Sequence, residues 1–158
     1  AFGGVMALFL AGSFMVRREV FERAGGYLPG LRYGENTDLG MRIGALNRHD
    51  PLKVESVHTP LIEVRRRPGR YDAEVMWEAT TLLLRERREQ LAVDPGMLAT
   101  YLAIGATAAE TLGRHADARQ LLAQAVRADP RNWRHTARLV RSFARPIMRP
   151  LGLGNDHG

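Results

Sequence analysis

Two carboxylates stand one helical turn apart at Glu35 and Asp38, within the stretch Gly34-Glu35-Asn36-Thr37-Asp38-Leu39-Gly40-Met41-Arg42. A carboxylate beside a hydroxyl can take its proton as the oxygen attacks an electrophile, and such general-base help is worth roughly 10²–10⁴-fold in rate. The start of a helix suits groups of this kind, because the dipole there stabilises negative charge. Asn36 lies between the acids, and an amide cannot usefully accept a proton at neutral pH. The proton therefore falls to Glu35 or Asp38, and Glu35 is the first choice. Acids at a helix start are common in any protein, so the weight rests on the residues around them.

Those residues predict the elements that must hold the acids in place. Residues 8–16 are expected to be extended, and residues 17–23 form a short helix with Val20 and Phe21 on its apolar side. Gly25 and Gly26 end that helix. Residues 27–34 form a loop punctuated by Pro29 and Gly30, and residues 36–46 a second helix with Leu39, Ile43 and Leu46 on its inner face. Residues 53–57 and 61–64 read as strands on either side of Pro60. Arg65 to Asp72, with Pro68 and Gly69, is a hinge.

The run Gly12-Ser13-Phe14-Met15-Val16-Arg17-Arg18-Glu19-Val20-Phe21, then Gly25-Gly26-Tyr27, then the acidic motif, resembles family 2 glycosyltransferases of the GT-A fold. In that family a strand leads to a helix of the form R-x-x-F-x-x-x-G-G-[FY], and an acidic motif G-E-D-x-D-L-x-x-R follows. The likeness spans residues 5 to about 70. It implies an α/β fold class, with residues 1–70 as the carboxyl half of the catalytic domain and the nucleotide-binding half missing. It implies transfer of a sugar from a nucleotide-diphosphate donor to a hydroxyl acceptor, and a fragment inactive alone. Glu35, Asn36 and Asp38 would be catalytic, and Gly12, Ser13, Arg17, Arg65, Arg67 and Tyr71 would bind substrate. Guanidinium forks at Arg65 and Arg67 would suit the donor phosphates. A divalent metal, Mg or Mn, is implied for the longer enzyme, with its ligands mostly outside this stretch. No Asp-x-Asp occurs here, and His58 reads as structural rather than as a ligand.

The family's usual base is the aspartate that Asn36 replaces. Either Glu35 or Asp38 acts in its stead, or the activity has been lost. A third reading follows polypeptide N-acetylgalactosaminyltransferases, which carry a similar Gly-Glu-Asn motif and are retaining, so inversion and retention both stay open.

Beyond the hinge the composition changes to Ala, Leu, Arg and Glu, and residues 71–146 read as consecutive helices over 72–91, 95–112, 116–128 and 132–145. Asp94-Pro95 and Asp129-Pro130 are expected to start helices. Residues 102–130 partly resemble a tetratricopeptide repeat through Gly113, Ala118, Leu122, Ala125 and Pro130, with Ala109 where an aromatic is usual. The last helix carries Trp133, Ala137, Val140 and Phe143 on one side and arginines elsewhere; the stripe reads as a packing face, with an anionic membrane surface as the second reading. Residues 147–158 are expected to be disordered.

Hydrophobic content of 45% and charge of 25% are those of a folded domain rather than a disordered chain. The absence of cysteine among 158 residues excludes disulfides and thiolate metal sites. The net charge of +6 invites a polyanion, yet Lys53 is the sole lysine and no nucleic-acid motif accompanies the arginines, so nucleic acid is not an expected partner. The opening run to Val16 is too short and too glycine-rich for a membrane span. The expected partners are a nucleotide sugar and an acceptor, with a protein docked on the helical tail, and the expected location is cytoplasmic, extending to the inner face of the membrane. The rival to the enzyme is a non-catalytic protein-interaction module built on the helical repeat.

Overall fold

The computed structural model describes residues 14–55, 59, 63 and 72–144. By compactness the chain divides into Ala1–Gln90 and Leu91–Gly158.

The first unit begins with α1 (Arg18–Arg23), whose end is set by its glycines. Gly25 N–H donates to Glu22 O and Gly26 N–H to Phe21 O, both at 2.9 Å, and Gly25 takes φ 81°. This pairing satisfies carbonyls that a helix end leaves open, and it requires a left-handed residue, which glycine adopts without a Cβ penalty. The chain then turns through residues 27–34 into α2 (Glu35–His49). Leu39 and Ile43 pack with Val20 and Ala24 of the α1 segment, and Phe14, Val16, Phe21, Leu46 and Leu52 close around them. This cluster brings α1 against α2. Next comes α3 (Ala73–Glu86), started by Asp72, whose carboxylate accepts the N–H groups of Glu74 and Val75.

The short helix α4 (Arg88–Ala92) crosses into the second unit, which holds α5 (Pro95–Thr111), α6 (His115–Ala128) and α7 (Trp133–Ala144). Asp94 accepts Met97 N–H at 3.1 Å with Pro95 in the first turn, as the sequence predicts. Three residues join α5 to α6, and the turn repeats the geometry at α1: Gly113 N–H reaches Glu110 O and Arg114 N–H reaches Ala109 O, with Gly113 at φ 74°. Ala99, Leu102, Ala106 and Ala109 of α5 and Ala118, Leu122 and Ala125 of α6 are all buried. Their helical spacing and small size let two helices pack closely through one continuous seam. Asp129-Pro130 does not start α7; Asp129 closes α6, and Asn132 stands directly before α7.

The expected α/β fold of a GT-A fragment is overturned, because among the described residues every regular element is a helix and none is a strand. Residues 14–17 run without regular structure. Residues 53–55, expected in a strand, are irregular and face solvent: Val54 is exposed, and Lys53 and Glu55 form a surface ion pair. Short apolar runs do not by themselves separate strand from other buried segments, which is how the misreading arose. The rest of the expected strands, the hinge at 65–71 and the tail at 147–158 lie outside the described residues. The helix expected over 72–91 is broken at Arg87, where the backbone leaves helical geometry (φ −128°). Among the described residues no helix is long and apolar enough to cross a membrane.

The two kinds of glycine in these helices predict opposite responses to alanine. Gly113→Ala, at a left-handed position, should lower stability in urea by about 1–2 kcal/mol. Gly44→Ala, inside α2 where an added Cβ meets nothing within 4 Å among the described residues, should raise it by about 0.5–1 kcal/mol.

Candidate functional site

The acidic motif folds into the first turn of α2, preceded by Gly34 with no side-chain cap. Its three candidate residues have three different surroundings. Glu35 is half-buried at the helix start. Asn36 Oδ1 accepts a hydrogen bond from Tyr27 Oη at 3.0 Å, and the Tyr27 ring sits edge-on to Phe21 with centroids 5.5 Å apart. The tyrosine after the glycine pair thus ties the end of α1 to the start of α2.

Asp38 has no solvent-exposed surface. One carboxylate oxygen accepts Arg42 Nε at 3.1 Å and Nη2 at 2.5 Å, from one turn further along α2. The other accepts Arg87 Nε at 3.0 Å, from the residue that ends α3. Arg42 then donates through Nη1 to the carbonyl of Ala24, the residue closing α1. A carboxylate withdrawn from water must have its charge and lone pairs met, and here two guanidinium groups meet them. The second positive charge is spread onto a helix-end carbonyl, which carries partial negative charge. Asp38, Arg42 and Arg87 therefore lock α1, α2 and α3 together around one buried anion.

Of the remaining residues implied by the resemblance, Arg17 alone is described. Arg17 stands at the start of α1, largely exposed, 3.6 Å from Glu19 in a surface ion pair. Gly12, Ser13, His58, Arg65, Arg67 and Tyr71 lie outside the described residues. Among the described residues no group of three or more His, Asp or Glu side chains could hold a metal ion.

Arg87 carries half of the arrangement, and the sequence reading missed it. It lies 49 residues from Asp38 with no periodic or motif relation to it. The second omission concerns α7. His135, Arg138 and Ser142 turn toward α5 and α6, while Trp133, Val140 and Phe143 are 71%, 66% and 61% exposed. Arg138 reaches the Ala103 carbonyl at 3.3 Å, Thr107 Oγ1 at 2.9 Å and the Glu110 carboxylate at 3.8 Å. Thr107 in turn donates to Ala103 O. Arg119 of α6 lies 5.5 Å from the Phe143 ring centroid, within cation–π range. The stripe expected to pack inward thus faces outward, and the inner side of the helix carries His135, Arg138 and Ser142 with Leu139 half-buried among them.

Comparison with known proteins finds no matching family model, no matching curated protein and no matching solved structure. With helices as the sole regular elements among the described residues and no family match, the chain is not assigned to the GT-A glycosyltransferases. The tetratricopeptide likeness of residues 102–130 likewise has no family match; the helical hairpin of α5 and α6 stands without it.

Removing one member of a buried charge cluster strands the others, at a cost of about 3–5 kcal/mol. Asp38→Ala should lose that much stability in chemical denaturation, whereas Glu35→Gln should lose less than about 1 kcal/mol, the size of a helix-end charge effect.

Proposed function

We propose that this chain is a non-catalytic interaction module, whose working surface is the outward side of α7. The orientation of that helix carries the reading. Trp133, Val140 and Phe143 form an apolar face that is largely exposed among the described residues, with the Arg119 guanidinium over the Phe143 ring. A helix normally turns such a stripe to the core. Large exposed apolar faces rimmed by polar residues mark interaction sites. α5 and α6 give α7 a rigid base through their small-residue seam, and Arg138 fixes its rotation.

The motif that raised the enzymatic alternative supports the same reading. Both Asp38 oxygens are engaged by guanidinium groups, so proton uptake there would break the charge cluster that joins three helices. Asn36 is held by Tyr27. Glu35 remains as the single acid of the motif with access to solvent.

Glu35→Gln separates the two readings. In the longest available form of the protein, sugar-nucleotide turnover, if any is measured, should be unchanged by this substitution while the melting temperature is retained. A fall of about 10²-fold or more with an intact fold would match loss of a general base and would return the chain to the enzymes.

A further inference from the structure

We propose that the outward face of α7 seats the chain on an anionic lipid surface. This rests on the reading of the helical unit as a binding module, and it names what is bound.

Charge is the first argument. From Pro130 to Asn155 the chain has six of its 23 basic residues, Arg131, Arg134, Arg138, Arg141, Arg145 and Arg149, and none of its 17 acids. The other 17 basic residues therefore balance the acids, and the whole net charge of +6 sits in this one stretch. Arg138 is spent internally on Thr107 and Glu110, but Arg131, Arg134 and Arg141 are exposed. At 3.6 residues per turn, Arg134 and Arg141 fall on one flank, roughly 80–100° around the helix from Trp133.

Geometry is the second. α7 offers an apolar strip of Trp133, Ala137, Val140 and Phe143 with guanidinium groups beside it. This is the arrangement of a helix lying in a membrane interface, where apolar side chains enter the acyl boundary and arginines reach the headgroups. Trp suits that depth because its ring is apolar and its N–H is not.

Composition decides between lipid and the other candidate, an acidic amphipathic helix of a partner protein. Beyond α7 the sequence keeps the same ingredients, Arg145, Ile147, Met148, Arg149, Leu151 and Leu153, but interposes Pro146 and Pro150. A helix-groove partner reads anchors at i, i+3, i+4 and i+7; Trp133, Ala137 and Val140 keep that register within α7, but the prolines bar its extension into the residues that follow. A lipid interface reads only apolar content and charge, and both continue unbroken.

The test uses the 158-residue chain and sedimentation with vesicles of phosphatidylcholine containing 30 mol% phosphatidylserine. Binding should appear on these vesicles, be absent on phosphatidylcholine alone, and weaken as salt rises. Brominated acyl chains should quench Trp133 emission, a signal that disappears in Trp133→Ala although Trp77 remains. Arg134→Gln and Arg141→Gln should each lower partitioning about fivefold, and the Trp133→Ala/Phe143→Ala pair at least about tenfold. Because these side chains are exposed, circular dichroism should show the variants folded. Absence of binding to the anionic vesicles overturns the proposal, as does binding that the Trp133/Phe143 pair leaves unchanged. Capture of a synthetic acidic amphipathic helix in preference to vesicles also overturns it, while leaving the interaction-module reading intact. If Trp133 responds to neither probe and Glu35→Gln abolishes turnover, both readings fall.

Discussion

A carboxylate with no access to water organises the first unit. Asp38 is buried without exposed surface, so its charge must be compensated from within the protein, and Arg42 and Arg87 supply the compensation from two directions. Each guanidinium does a second thing. Arg42 also caps the last turn of α1 through the Ala24 carbonyl, and Arg87 ends α3 with its own N–H bonded to Leu83 O. Beneath the buried carboxylate, among the described residues, Val20, Ala24, Leu39 and Ile43 form one apolar cluster. The polar cluster joins the end of α1, the start of α2 and the end of α3 beside it. The same constraint bears on chemistry, because both oxygens of the carboxylate are already occupied by guanidinium donors.

The second unit solves a different problem with different means. α5 and α6 join through alanines and Leu102 and Leu122, a seam that needs no polar glue. α7 joins them in the reverse sense, polar side inward, with Arg138 reaching across to α5 through Thr107 and the Ala103 carbonyl. Leaving Trp133, Val140 and Phe143 in water forgoes roughly 1.5–3 kcal/mol for each side chain that could have been buried. On the proposed reading that energy is held for a bound surface, so fold stability and binding draw on separate faces of one helix.

Much of this was legible in the chain, and for identifiable reasons. Helix positions followed from period and punctuation: Gly25-Gly26 and Gly113 mark two ends with the same hydrogen-bond pattern, and Asp94-Pro95 marks a start. Leu39 and Ile43 were assigned to the inner face of their helix and are buried there. The α/β fold was misread because the pattern Arg17…Phe21…Gly25-Gly26-Tyr27…Glu35…Asp38…Arg42 looked catalytic. In this structure the pattern has an architectural account: Tyr27 holds Asn36, and Arg42 joins Asp38 to the end of α1. Arg87 was not legible, since a contact across 49 residues leaves no local trace. The direction of the α7 stripe was not legible either, because amphipathicity defines two faces without saying which one the neighbouring helices take.

The central claim is that Asp38 and Arg87 act on each other, and a double-mutant cycle measures this directly. Asp38→Asn, Arg87→Met and the double variant would be compared with the parent by urea denaturation. The account predicts a coupling energy of at least about 1.5 kcal/mol, as for contacting residues in one buried network. A coupling below about 0.5 kcal/mol, with the single losses simply adding, would contradict it.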